Sequence, residues 1–270
     1  MSAPYRLREE QEPIMLQSSI IRVDDGSLYI INPTGFDDAA QEEINALGSV
    51  RGLITTTAAH GEALTQAHLL WPDADLYGTD AVWKHDASSL PWKGFFQPGM
   101  IVDAKNQPLT PLPPGFQSGG ELEWFTLSGH RFKETLFYHK PTKSLVGLTD
   151  MMLVFRDSTM PLLPWPGRAY LFSTGLYRPD LPSCVGSQSY HWLLHTDQLE
   201  LQSSVNRIRE LDVEHITLGH ASDQLVIEGR ENCQELLDVG FRWVYNHQLS
   251  FFETLFGRLL HLRRFIFPYS

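Results

Sequence analysis

The apolar and polar positions of this chain change period repeatedly, and each change marks an element. Two β-rich runs, 19–23 and 28–31, flank Asp24-Asp25-Gly26, a turn chemistry that reverses a chain tightly, so an early hairpin is expected. Asn32-Pro33-Thr34-Gly35 then breaks the second strand, and Asp37 or Asp38 can cap a helix running to about Leu47. Residues 52–56 read as the next strand, and Leu64, His68 and Trp71 recur at helical spacing over 61–71. A short strand at 75–77 and a helix at 79–85 follow. This alternation predicts one half of a layered sandwich whose helices cover the outer face.

The second half begins near Leu122 with strands that lead to His130, and a hairpin-like pair over 134–140 and 144–149 ends at Asp150. Leu201, Val205, Ile208 and Leu211 recur at three- and four-residue steps, so 196–211 is read as a helix with Thr196 or Asp197 as its cap. It feeds a strand over 213–218 and then His220. Two stretches dense in Pro, Gly and aromatic residues, 89–120 and 155–195, are expected to be irregular loop or lid insertions. From 229 to 267 the chain turns helical, with Leu249, Phe251, Phe252, Leu255, Phe256, Leu259 and Leu260 interleaved with Arg258, Arg263 and Arg264. Such a helix packs on its own domain, joins a second copy as a homodimer, or makes peripheral contact with a membrane surface.

Composition narrows the class. The 270 residues are 42% hydrophobic and 20% charged, as expected for a single domain over 1–270 with one large core. A net charge of -11 argues against nucleic acid, whose phosphates require clustered Lys and Arg. Cys184 and Cys233 form no Cys-x-x-Cys motif and no disulfide framework, and each is read as a buried or incidental thiol. Residues 1–16 lack the apolar core of a secretory signal, and no run of about 18 uncharged apolar residues occurs. A membrane span is therefore not expected, and the expected address is cytoplasmic.

The chemistry concentrates where strands end. His130 closes Leu127-Ser128-Gly129-His130, Asp150 closes Gly147-Leu148-Thr149-Asp150, and His220 closes Leu218-Gly219-His220, while His60 follows the strand at 52–56. Side chains presented at strand ends around one crevice are how α/β folds build metal and catalytic sites. His68 lies on an apolar helical stripe, and His191 and His195 lie four apart with no carboxylate pattern beside them, so none of the three is read as a ligand.

These turns, in this order, resemble the metallo-β-lactamase superfamily over about residues 18–237, and specifically a divergent branch of unknown function. The resemblance implies an α/β fold, an αββα four-layer sandwich, here with a C-terminal helical extension. Ser128-Gly129-His130 matches the family's Pro-Gly-His turn, Asp150 its bridging carboxylate, and Gly219-His220 its late Gly-His ligand. The hallmark His-x-His-x-Asp-His is eroded: taken against Thr56-Thr57-Ala58-Ala59-His60, Thr56, Ala58 and Ala59 replace two histidines and the aspartate, and His60 alone remains.

The resemblance thus implies a metal set of His60, His130, Asp150 and His220, with Asp150 and His130 as the catalytic pair. Such a set suits one divalent metal, zinc or alternatively iron or manganese; the same residues can equally hydrogen-bond one another with no cofactor. Three functions follow from these options. One is a mononuclear metal-dependent hydrolase of a small ester, thioester, lactone or amide. The others are a catalytically silent protein binding a small-molecule ligand or serving as a scaffold, and a mononuclear non-haem iron oxidoreductase.

Overall fold

In a computed structural model of the chain, the residues described are 2–5, 14–57, 63–79, 90–152, 196–221 and 226–245, with backbone alone for 2–5, 14–16, 220 and 221. The strands in chain order are β1 (Ser2–Tyr5), β2 (Ile14–Gln17), β3 (Ser19–Arg22), β4 (Ser27–Ile31), β5 (Ser49–Ile54), β6 (Asp75–Thr79), β7 (Trp92–Gln97) and β8 (Met100–Val102). They continue with β9 (Leu122–Thr126), β10 (Thr135–His139), β11 (Ser144–Leu148), β12 (His215–Leu218), β13 (His220–Ala221) and β14 (Val226–Glu228). The helices are α1 (Asp38–Leu47), α2 (Leu64–Leu70), α3 (Gln198–Arg209) and α4 (Arg230–Gly240).

Two sheets form the body. The first has the order β3-β4-β5-β6-β7-β8, with β4 through β7 parallel and an antiparallel strand at each edge. The second has the order β14-β12-β11-β10-β9, with only β11 and β12 parallel. Alternate side chains along each strand sort into separate cores, as the two-residue period of a strand requires. Leu28, Ile30, Leu53 and Leu76 pack outward on Ile44 of α1 and on Leu64 and Ala67 of α2. Tyr29, Ile31, Ile54 and Tyr77 point the other way, onto Phe137 and Val146 of the second sheet. Leu136, Tyr138, Leu145 and Ile216 leave that sheet on its far side and meet Leu201, Val205 and Ile208 of α3 with Leu236 and Leu237 of α4. Three cores between four layers make an αββα sandwich, the architecture that the resemblance implies.

Local chemistry sets the element ends. Gly26, at φ 83°, closes the β3–β4 turn. Asp37 caps α1 by accepting from the Ala40 amide, and Asp197 caps α3 by accepting from the amides of Leu199 and Glu200. An aromatic group binds the two sheets together: Phe96 of β7 meets Phe137 of β10 edge-on at 4.9 Å between ring centres, and Phe116 lies 5.4 Å from Phe96.

The structure departs from the sequence reading in particular places. The stretch 89–120, expected to be irregular, supplies β7 and β8; Gly94 and Phe96 are buried while Lys93 is exposed, an alternation that the density of Pro and Gly around it obscures. Residues 103–121 remain loop, and it is from there that Phe116 reaches the core. Thr79, expected to begin a helix, is the last residue of β6, and the rest of 79–85 lies outside the described residues. The insertion 155–195 with its aromatic residues, Cys184, His191, His195 and the apolar run 249–260 lie outside them too. The helical segment expected from 229 is present as α4 and a 3-10 turn at Arg242–Val244. Cys233 is buried in α4, and burial pushes its thiol up to about 11. No helix among the described residues is long and apolar enough to cross a membrane.

Candidate active site

Five chain segments come to the ends of the central strands. The first follows β4, where Asn32 adopts a left-handed conformation at φ 49° that Asn tolerates better than most residues. Its side chain grips the next segment twice: Oδ1 accepts from the Thr56 amide and Nδ2 donates to the Thr56 hydroxyl, both at 2.8 Å. Thr56 is thereby fixed between the sheets, because its hydroxyl donates to the Gly147 carbonyl at 3.2 Å and its own carbonyl accepts from the Thr135 amide at 2.8 Å. Thr56 is fully buried, and its hydroxyl has both a donor and an acceptor partner.

The residue beside it meets the candidate acid. Thr57 Oγ1 donates to Asp150 Oδ2 at 2.8 Å, joining segments 93 residues apart. Read without a gap, a six-residue motif that ends at His60 begins at Thr55, so Thr55, Thr57 and Ala59 stand at the two histidine positions and the aspartate position. The contact between Thr57 and Asp150 supports this register and replaces the one built on Thr56, Ala58 and Ala59. Thr56 instead faces the Asn32–Gly147 network.

Asp150 lies in a turn that follows β11, and Glu134 holds that turn. Its carboxylate accepts from the amides of Thr149 at 2.9 Å, Asp150 at 2.8 Å and Met151 at 3.0 Å, and from the Thr149 hydroxyl at 3.1 Å. Glu134 is fully buried, and burial together with the neighbouring Asp150 charge pushes its carboxyl up to about 8, against the pull of the three amides. Sequence reasoning missed Glu134. Its one signal is an isolated acid directly before the uncharged run Thr135-Leu136-Phe137.

His130 is buried at 1% exposure in a turn fixed by glycine and by a helix end. Gly129 adopts φ 77°, and a Cβ there would lie 2.0 Å from the Asp197 carbonyl oxygen. Its carbonyl accepts from the amides of Thr196 at 2.7 Å and Asp197 at 3.2 Å, docking the turn against the start of α3. The ring packs edge-on to Phe132 at 5.4 Å between centres, and its Nδ1 accepts from the Phe132 amide at 3.3 Å. A neutral ring in this arrangement carries its proton on Nε2. Metal ligation through Nε2 would move that proton to Nδ1, against the Phe132 N–H, so the geometry suits a proton donor better than a ligand.

The last segment is the Gly219-His220 turn. The Gly219 amide donates to the Leu148 carbonyl at 2.6 Å, and a Cβ at Gly219 would lie 2.2 Å from Thr149 Cγ2, so this turn abuts the one that carries Asp150. The backbone of His220 pairs with Leu16 in β2, part of a three-stranded sheet of order β1-β2-β13 that sequence reasoning did not anticipate. The structure therefore brings together the backbones of the 55–57, 149–151 and 219–220 turns. The side chain of His220 and all of His60 lie outside the described residues.

These residues divide the metal positions that the family resemblance implies. Thr57 stands at a histidine position, is a poor ligand, and directs its hydroxyl proton to Asp150. His130, whose Nδ1 accepts from the Phe132 amide, is likewise poorly set to ligate an ion through Nε2. Asp150 keeps the chemistry of a ligand, as a partly exposed acid on a turn that the buried Glu134 holds. Among the described residues, no three of His, Cys, Asp and Glu gather as a metal-holding group.

No protein-family model matches the chain, and none of the curated proteins matches it. Solved structures do. A metallo-β-lactamase from Pontibacter korlensis is similar over 92% of this chain and 100% of its own, at 12% identity and a TM-score of 0.43. The flavodiiron protein from Giardia intestinalis is similar over 86% of this chain at 14% identity and a TM-score of 0.49, and the rubredoxin oxygen:oxidoreductase from Desulfovibrio gigas over 89% at 11% and 0.48. The chain spans 52% and 56% of the length of those two proteins. At these identities and scores the similarities carry no function to this chain, and its chemistry rests on its own residues.

Proposed function

We propose that this protein is a cytoplasmic mononuclear metal-dependent hydrolase acting on a small ester, thioester, lactone or amide. His60, Asp150 and His220 would hold the ion. The observation that supports this reading is the hydrogen bond from Thr57 to Asp150, which sets a hydroxyl where the resemblance expects a histidine and leaves Asp150 as the acid for a single ion. Zinc suits that set, and iron or manganese are the alternatives. The ion would supply Lewis acidity that makes water nucleophilic near neutral pH. The chain's own residues do the rest. Thr57 orients Asp150, Glu134 fixes its turn, and His130, with its proton on Nε2, serves as proton carrier to the leaving group.

Elemental analysis of protein purified without chelator tests this reading. The expected result is one equivalent of divalent metal that His220→Ala removes; two equivalents, or none after supplementation, would overturn it. The identity of the metal then separates a zinc hydrolase from a non-haem iron oxidoreductase.

A second reading, a silent protein that binds a small ligand in the same crevice, is favoured by the closed network around Thr56 and Thr57. Turnover of a panel of esters, thioesters, lactones and amides that is abolished by Asp150→Asn would exclude it. The apolar run at 249–260 is proposed to pack on the domain or on a second copy in a homodimer.

A further inference from the structure

Glu134 belongs to none of the ligand sets above, yet it is the one fully buried acid among the described residues. A buried carboxyl is costly unless hydrogen bonds compensate it, and its four donors come from three consecutive residues. Oε1 accepts from the Thr149 amide, while Oε2 accepts from the Thr149 hydroxyl and the amides of Asp150 and Met151. Successive amides turned onto one acceptor form a nest, and here that acceptor is a carboxyl of the chain itself. The adjoining residue grips the opposite side of the crevice, because the Thr135 amide donates to the Thr56 carbonyl at 2.8 Å. Residues 134 and 135 thus tie together the two turns whose side chains, Thr57 and Asp150, meet at 2.8 Å.

We infer that Glu134 is the positioning residue of this site: by clamping the amides of 149–151 it places the Asp150 carboxylate against Thr57 and aims it into the crevice. The inference rests on the reading proposed above only for what Asp150 then holds; the placement of Asp150 stands on its own.

Two measurements on the full chain test it. The first is the Thr57 Oγ1 to Asp150 Oδ2 distance in a crystal structure of Glu134→Gln, and the second is a cobalt(II) titration of wild type, Glu134→Gln and Glu134→Asp. Gln puts an amide N–H₂ where a carboxylate oxygen accepts, so the turn must rotate. The expected results are a distance beyond 3.5 Å and a cobalt affinity lower by about 10- to 100-fold, the range for residues that orient a ligand, with Glu134→Asp recovering part of it. A contact kept at hydrogen-bonding distance, with affinity within about twofold of wild type, would overturn the inference. A wild type that binds no cobalt would sink the one-ion reading instead, and the distance in Glu134→Gln would still decide the role of Glu134. Should Glu134→Gln not fold, Thr149→Val removes one of the four donors and keeps the carboxylate. It is then expected to lengthen the Thr57–Asp150 contact, and an unchanged contact would count against the clamp.

Discussion

The Thr57 hydroxyl donates to the Asp150 carboxylate at 2.8 Å, which places a hydrogen bond where the motif that this stretch resembles would put a histidine. Thr57 is fully buried and Asp150 only partly exposed, so water can make good only part of the loss of this bond. Thr57→Val keeps the shape and removes the donor, so it is expected to cost about 1.5–3 kcal/mol, as for a bond to a charged group. Thr57→Ser retains the hydroxyl and should cost less. Urea denaturation of the two variants measures the difference, and equal stabilities would dismiss the bond as a contributor.

Stability against pH follows from Glu134. Burial and the Asp150 charge hold its proton more tightly in the folded than in the unfolded chain, with the folded value pushed up to about 8. Its contribution is therefore fully present below the usual glutamate range and is lost as pH rises from there through about 8. Asp212 and Glu214 act in the opposite sense. Lys143 hydrogen-bonds both and holds them below the usual range, so their contribution is lost as pH falls through it. Denaturation in the presence of chelator from pH 4 to 9 should show stability declining on the alkaline side. Asp150→Asn, by removing a charge that raises Glu134, should end that decline at a lower pH.

Gly129 admits no side chain. Its φ of 77° disfavours any L-residue, and a Cβ there would lie 2.0 Å from the Asp197 carbonyl oxygen and 2.8 Å from the Leu201 amide nitrogen, both backbone atoms. Gly129→Ala should therefore cost more than about 2 kcal/mol and displace the His130 turn from α3, the sum of conformational strain and overpacking. Thermal unfolding measures the loss, and amide exchange at Thr196 and Asp197 reports the displacement.

Asn32 contributes in two separable ways. Asn32→Gly keeps the left-handed backbone at φ 49° but removes both bonds to Thr56, leaving the buried Thr56 amide without its acceptor. That should cost about 1–3 kcal/mol. Asn32→Ala loses the same bonds and adds the strain of an alanine in that conformation, about 1 kcal/mol more. Equal stabilities for Gly and Ala would show that the backbone at 32 relaxes freely.

Much of the frame was legible in the order of residues. The hairpin around Asp24-Asp25-Gly26, the caps at Asp37 and Asp197, and the stripe Leu201, Val205 and Ile208 all depend on neighbours within a few positions, and they stand where periodicity and cap chemistry place them. The turns bearing His130, Asp150 and His220 were visible as glycine-marked strand ends for the same local reason. β7 and β8 were not, because Pro and Gly on either side hide a short alternation that only pairing with β6 makes into sheet.

What the sequence determined by itself was a set of elements, their faces and four residues worth watching, since each is encoded over one or two turns of chain. Tertiary structure alone decided that Thr57 rather than Thr56 meets Asp150, that Glu134 clamps the turn, and that a strand at 14–17 pairs with His220. Those relationships join residues 16 to 204 positions apart, and no local period carries them. They arise when burial leaves each amide and carboxylate to find its partner across the sheets, in the absence of water.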